Sequence, residues 1–160
     1  LQATPTDGNY VTVYLPSYCE KQLVDIFSTF SDISFEIFCS QTQRPKTCSN
    51  IRFFPVHNKL FTHSLVNCAG IITGGGFETP AEALHLGKKI MTVPICSHYE
   101  QQCNAAALEQ LGIKKLRKFD QGFRDLFYTW LGDKNTIRMD YSQTIPQSLE
   151  YLFSSAEVSI

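Results

Sequence analysis

The chain has 160 residues, 43% of them apolar, with 12 phenylalanines and a formal net charge of −1. That is enough apolar material for one domain with a real core, and it excludes a disordered tail. The near-neutral balance leaves no large basic field, so no nucleic-acid partner is expected; Lys114-Lys115-Leu116-Arg117-Lys118 reads as a solvated surface segment.

Residues 1–9 carry Thr, Pro, Asp and Gly and read as a linker, with an abrupt start, as if cut from a longer chain; residues 10–160 read as one domain. Tyr10 to Leu15 is β-branched and aromatic, a buried strand ended by Pro16. Ser17 to Phe30 places Leu23, Ile26, Phe27 and Phe30 at helical spacing. Ile33 to Cys39 alternates as a second strand, Gln41 to Asn50 is a polar loop, and Ile51 to Phe54 is a short third strand. Leu60 to Cys68 follows as a helix. Gly70 to Thr73 is a fourth strand, and three glycines come directly after it.

Thr79-Pro80-Ala81-Glu82 then predicts a helix start, with Thr79 as N-cap and Glu82 closing a capping box. Gly87 suits a left-handed C-terminal cap. Lys89 to Val93 is a fifth strand stopped by Pro94. Ser97 to Glu100 reads as a second capping box, opening a helix that runs to Gly112. Phe119 to Trp130 and Pro146 to Phe153 read as helices. Strands alternating with helices imply an α/β fold, a Rossmann-like three-layer α/β/α parallel sheet. In such sheets ligands bind beyond the carboxyl ends of the strands. That rule selects Pro16-Ser17, the glycine run, and Pro94 to Tyr99.

The six cysteines at 19, 39, 48, 68, 96 and 103 form no CxxC pair and no Cys/His cluster with metal spacing. No metal site and no cofactor are therefore expected, and reduced thiols in a cytosolic protein are the simplest reading. No apolar run reaches about 18 residues, so no transmembrane segment is expected, and no signal peptide is visible.

Glycines between a buried strand and a helix start can cradle a phosphate. They let the backbone approach closely, and the helix end presents unpaired amides and roughly half a positive charge. The bland alternative is a tight turn. The longer run Gly74-Gly75-Gly76-Phe77-Glu78-Thr79-Pro80-Ala81-Glu82, then Gly87, Pro94 and Glu100-Gln101-Gln102-Cys103-Asn104-Ala105, resembles the donor-site signature of GT-B glycosyltransferases. It is similar to both the UDP-glycosyltransferases and the peptidoglycan N-acetylglucosaminyltransferase. In those families a Gly lies six residues before a Glu, a Ser or Thr three before it and a Gly five after it. A Pro-ended strand follows, then an acidic or polar residue, Gln, two variable residues and Asn-Ala. Gly76, Thr79, Glu82, Gly87, Pro94, Gln101, Asn104 and Ala105 fall in that register.

The resemblance implies the C-terminal, donor-binding half of a two-domain enzyme that moves a sugar from a nucleotide diphosphate, UDP by analogy, to an acceptor hydroxyl. Glu82 would take the two ribose hydroxyls. Gly76, Phe77, Glu78 and Thr79 would offer backbone amides, or the Thr79 hydroxyl, to the diphosphate. Glu100 and Gln101 would touch sugar hydroxyls, with capping as the competing role for Glu100. Ser17 would contact the nucleotide or cap the first helix. His57 and Asn58 would hold the base through their backbone. Two departures stand out: Gly74 occupies the place of a His or Arg in relatives, with Gly74 and Gly75 amides as the substitute, and Pro16 replaces a Gly.

No catalytic base is named, because the architecture implied would carry it, with the acceptor site, on an N-terminal domain that is its partner. His98, beside the Glu100-Gln101 pair, reads as a solvated side chain; His63 and His85 read as surface or packing residues. The leaving diphosphate would be met by amides and a helix dipole; no Asp-x-Asp metal motif occurs. Donor binding without turnover is expected of this chain alone, together with self-association through the uncovered donor face and a cytoplasmic location, peripheral membrane association included. Rival readings are a nucleotide-sugar 2-epimerase, disfavoured by the lack of Arg in Pro94 to Gln101, and a non-catalytic scaffold of the same fold. A dinucleotide dehydrogenase would carry its glycines after the first strand.

Overall fold

The computed structural model describes residues 4–140 and 144–156. In chain order the elements are β1 (Tyr10–Tyr14), α1 (Glu20–Phe27), β2 (Ser34–Phe38), β3 (Lys46–Cys48), β4 (Ile51–Phe54), α2 (Asn58–Asn67), β5 (Gly70–Thr73), α3 (Glu78–His85), β6 (Lys89–Thr92), α4 (Tyr99–Gln110), β7 (Lys114–Lys115), α5 (Phe123–Gly132) and α6 (Thr144–Ala156). One sheet has the order β3-β4-β2-β1-β5-β6-β7. Every neighbouring pair is parallel except β3 with β4.

The central strands are apolar on both sides, as a parallel sheet covered on both faces requires. Val11, Val13, Phe35, Ile37, Ile51, Phe53, Ile71 and Ile72 are all buried. On one face α1 and α5 close an aromatic core of Phe27, Phe30, Phe35, Phe119, Phe123 and Phe127, with ring centroids 4.7–6.2 Å apart and mostly tilted or edge-on. Such pairs add roughly 0.5–1.5 kcal/mol each beyond their buried area, which gives the high Phe count its use. Trp130 completes this face. Its indole N–H donates to the Ile90 carbonyl at 3.1 Å, and its ring lies where a Cβ on Gly70 would come within 2.9 Å. On the other face Leu65 and Val66 of α2, Ala83 and Leu84 of α3, and Leu108 of α4 pack on Ile71 and Ile90. A buried hydroxyl pair, Thr12 Oγ1 to Ser64 Oγ at 2.7 Å, pins α2 to β1.

Residues 6–8 lie against the α2–β5 corner. Thr6 and Gly8 amides donate to the Val66 and Asn67 carbonyls at 3.1 and 2.8 Å. Lys88, 3% exposed, donates to the Thr6 and Cys68 carbonyls at 2.5 and 2.8 Å.

Several boundaries differ from the periodicity. α1 starts at Glu20, because Ser17 and Tyr18 form a turn in which the Tyr18 amide donates to the Leu15 carbonyl; Ser17 is therefore not its N-cap. β3 lies inside the stretch read as loop: it is exposed and three residues long, so alternation had nothing to act on. Ser49, with φ of 55°, turns it into β4. β7 falls in the basic run, where two lysines pair with β6. Gly87 takes a φ of +68°, the left-handed conformation expected past the end of α3. Among the described residues no helix is long and apolar enough to cross a membrane. All six cysteines are free thiols.

Asn50 ties the end of α1 to the sheet. Its Nδ2 donates to the Phe27, Phe30 and Ile33 carbonyls at 3.1, 2.7 and 2.8 Å, and its own carbonyl accepts from the Phe35 amide at 3.0 Å. Asn50→Ala leaves those side-chain-bonded carbonyls without that donor and is expected to cost about 2–3 kcal/mol, measured by urea denaturation. A second expectation concerns alkaline pH. Burial, then the nearby Glu36 carboxylate, pushes the Tyr10 hydroxyl from its ordinary value up to about 12, while it donates to the Ser64 carbonyl at 3.1 Å. The folded state keeps this proton longer than the unfolded one. The stabilisation is thus complete below about pH 10 and is lost as pH rises towards about 12. Urea midpoints for Tyr10→Phe should fall less steeply across that window than those of the unaltered chain.

Candidate functional site

The strand order reverses at β1. The chain runs from β1 outward to β2 and β4, then crosses back through α2 to β5 on the other side. Beyond the carboxyl ends of β1 and β5 this leaves a crevice, the place where sheets of this kind hold ligands. A pocket of about 280 Å³ occupies it, lined by Tyr14, Val56, His57, Asn58, Phe61, Thr62, Glu78, Thr79 and Glu82.

Two helix starts border this pocket. His57 and Asn58 belong to the beginning of α2, and Glu78 and Thr79 to the beginning of α3. Neither N-cap, His57 nor Phe77, makes a side-chain capping hydrogen bond. The first hydrogen-bonded amides are those of Phe61, to the His57 carbonyl, and Ala81, to the Phe77 carbonyl. Among the described residues the amides before them in each helix have no partner. Each end carries a partial positive charge. Thr79 and Glu82 do not form the capping box that their spacing suggested. α3 begins two residues earlier, at Glu78 with Phe77 as N-cap, so Thr79 lies inside the first turn and both side chains remain on the pocket wall. Glu78 and Glu82 stand one helical turn apart on that wall.

The pocket floor is aromatic. Tyr14, at the end of β1, meets Phe61 at 5.5 Å; Phe61 meets Phe38 edge-on at 5.2 Å; Phe38 stacks on Phe54 at 5.4 Å. Of these rings only Tyr14 and Phe61 line the pocket; Phe38 and Phe54 lie behind Phe61, with the Arg52 guanidinium 5.1 Å from the Phe54 ring. Periodicity assigned these residues to strands and a helix, and nothing in the sequence alone singled them out for the site. The one signal was that Tyr14 ends the first strand.

The remaining residues divide. Gly76 and Phe77 line a separate apolar hollow of about 200 Å³ between α3 and α4, with Pro80, Leu84, Asn104 and Leu111; Phe77 is 73% exposed. Gly74 and Gly75 lie against Gln101. Gln101 is half-buried, and its Oε1 accepts from the Ile95 amide at 3.1 Å, which leaves its Nε2 donors available. Glu100 is exposed in the first turn of α4. Ser17 is exposed and lines neither pocket.

His98 is the N-cap of α4, and its Nδ1 accepts from the Gln101 amide at 3.4 Å. The start of α1 is also closed. The Cys19 amide donates to Gln22 Oε1 at 2.9 Å and the Glu20 amide to Gln41 Oε1 at 3.2 Å. Hydrogen bonds from Lys46 and Thr42, both at 2.5 Å, hold the Glu20 carboxyl below its ordinary range. Among the described residues no group of three or more His, Cys, Asp or Glu side chains is placed to hold a metal ion.

A sequence model of glycosyl transferase family 1 matches residues 1–126. No curated protein matches the chain. Among solved structures, the glycotransferase of kitacinnamycin superposes with a TM-score of 0.60 at 17% identity, over 79% of this chain and 36% of that one. The glycosyltransferase SnogD from Streptomyces nogalater superposes with a TM-score of 0.51 at 22% identity, over 71% of this chain and 31% of that one. The chain thus spans about a third of the length of these structures. Their shared fold accounts for the parallel sheet and its crevice, and the match over residues 1–126 places this chain within glycosyl transferase family 1, as a GT-B glycosyltransferase-like domain.

Proposed function

We propose that this chain is the donor-binding half of a glycosyltransferase and that the 280 Å³ pocket at the sheet reversal receives a nucleotide-diphosphate sugar, UDP-linked by the resemblance. The observation that carries the reading is the pairing, in one pocket, of two uncapped helix starts with the Glu82 carboxylate. The ligand it suits has an anionic part and a vicinal diol. Unpaired amides from Gly76 to Thr79 meet the diphosphate, and Glu82 accepts both ribose hydroxyls through its two oxygens. The start of α2, at His57 and Asn58, and the Tyr14–Phe61 floor take the base. The Gln101 Nε2, left available by the Ile95 bond to Oε1, and the exposed Glu100 are assigned to the sugar hydroxyls.

Chemistry on this side is electrostatic. Charge gathers on the diphosphate as the glycosidic bond breaks, and amides already fixed in place stabilise it without reorganising. The acceptor hydroxyl needs a base. We assign the base and the acceptor site to an N-terminal domain docked on the side of the exposed Val56, Leu60, Phe77 and Tyr99. The activity of the whole enzyme therefore rests on that domain, and this chain alone binds donor without turnover. A cytoplasmic location is in keeping with six free thiols.

Calorimetric titration with UDP, UDP-sugars, dTDP and GDP tests the reading. One nucleotide series should saturate, and Glu82→Gln should weaken it roughly ten- to a hundredfold, as expected for losing a charged acceptor of two hydrogen bonds, with unchanged thermal stability. Saturation untouched by Glu82→Gln would remove the ribose assignment. Absence of binding to every nucleotide, here and in the full-length enzyme, would favour a non-catalytic scaffold, the reading to which Gly74 in place of a cation lends support.

A further inference from the structure

The glycine loop leans on α4. A Cβ on Gly75 would fall 2.4 Å from the Gln101 carbonyl oxygen and 2.9 Å from the Gln101 Cβ, so only glycine fits there. The Asn104 Nδ2 donates to the Gly75 carbonyl at 3.1 Å. α4 is itself firmly placed. The Gln101 Oε1 takes the Ile95 amide, the Gln102 Nε2 donates to the Ile95 carbonyl at 3.1 Å, and His98 caps the first turn. Asn104 is thus a fixed arm holding one particular peptide, Gly75–Gly76.

Peptide geometry passes that hold onward. In a trans peptide the C=O and N–H point in opposite directions, and the described residues contain no cis peptide bond. Drawing the Gly75 oxygen towards α4 turns the Gly76 N–H away from α4. β5 lies between β1 and β6, and α4 is reached from β6. Gly76 lines the hollow between α3 and α4, and the segment that follows it reaches the crevice at Glu78 and Thr79, so an N–H turned away from α4 lies at the edge between the two. The Gly76 amide has no partner among the described residues. Glycines on both sides of a peptide leave it free to flip, since neither residue has a side chain to bar either orientation.

We infer that Asn104 is a positioning residue for the diphosphate of the donor. It holds the Gly75–Gly76 peptide with its N–H at the edge of the crevice, where it joins the Phe77 to Thr79 amides on the same anion. This rests on the donor-site reading above. It also gives the site a fixed donor in a loop where Gly74 contributes no side chain.

The test compares nucleoside with nucleoside diphosphate, because only the second carries the anion. Wild type, Asn104→Ala and the near-isosteric Asn104→Asp are titrated with uridine, thymidine, guanosine and adenosine and with the corresponding diphosphates. Asn104→Ala is expected to bind the preferred diphosphate about tenfold more weakly, the size of one hydrogen bond to a charged group, and its nucleoside as wild type does. Asn104→Asp, which sets an acceptor against the Gly75 carbonyl, should lose at least as much. The Gly76 amide resonance should shift on adding diphosphate in wild type and not in Asn104→Ala. Equal losses for nucleoside and diphosphate would make Asn104 a general structural support and overturn the inference, as would unchanged diphosphate binding in both variants. If wild type binds none of the diphosphates, the donor-site reading itself falls, an outcome distinct from either of those.

Discussion

Neither face of a parallel sheet can be left to water, and the arrangement of this chain follows from that constraint. Apart from β2 to β4, which are joined through the exposed strand β3, the parallel strands are connected through helices, and such crossovers are right-handed. β1 to β2 runs one way and places α1 on one face; β4 to β5, β5 to β6 and β6 to β7 run the other way and place α2, α3 and α4 on the opposite face. The change of direction must happen somewhere, and it happens beside β1. There the connections leaving the carboxyl edge diverge and cannot fill the space between them. The crevice is thus a by-product of covering both faces. The side chains that finish β1 and begin α2, Tyr14 and Phe61, become its floor because nothing else lies above them.

The pocket that results has its charges in an unusual place. No Lys or Arg lines it among the described residues; its side-chain charges are the carboxylates of Glu78 and Glu82. Positive potential comes from backbone amides at two helix starts. A simple anion would meet both and gain little. A ligand with phosphates at one end and hydroxyls a few ångströms away can satisfy both, phosphates on the amides and hydroxyls on a carboxylate. Fixed amides also need no counter-ion rearrangement when charge develops, which is the property a leaving diphosphate requires.

Much of this was legible because apolar runs and glycines carry strong signals. The five longer strands, the helices and the left-handed Gly87 follow from periodicity and from the punctuation of Pro16, Pro94 and the glycine run. β3 and β7 were not legible. A two- or three-residue strand at a sheet edge, built from Lys, Thr and Cys, carries no alternation and exists only because a neighbour offers it a ladder. At the site, the glycine-to-glutamate spacing located the crevice loop, and His57, Glu78, Thr79 and Glu82 do share one pocket. The aromatic floor was hidden because Tyr14 and Phe61, like Phe38 and Phe54 behind them, look like ordinary core in one dimension. The hold of Asn104 on the glycine loop was hidden because its partner is a backbone carbonyl 29 residues away. The capping boxes misled in both places, since a Thr or Ser three residues before a Glu is compatible with more than one helix start.

The distribution of caps is itself informative. An absent N-terminal cap costs a helix about 1 kcal/mol, and this chain has polar residues at hand for every helix. α1 has its first amides taken by Gln22 and Gln41, and α4 has His98; α5 has no side-chain cap, Asp120 bonding only the amide of its N-cap, Gly122, at 3.0 Å. α2 and α3 have none, although Asn58 and Thr79 sit in their first turns. Those two helices are the ones whose starts face the crevice. α5 is open as well, with Gly122 as an N-cap that has no side chain; what sets α2 and α3 apart is that their two open starts share one pocket, where strand order reverses. An anion bound at those two starts would recover the cost of their missing caps, because it would take the unpaired amides that a cap would otherwise satisfy.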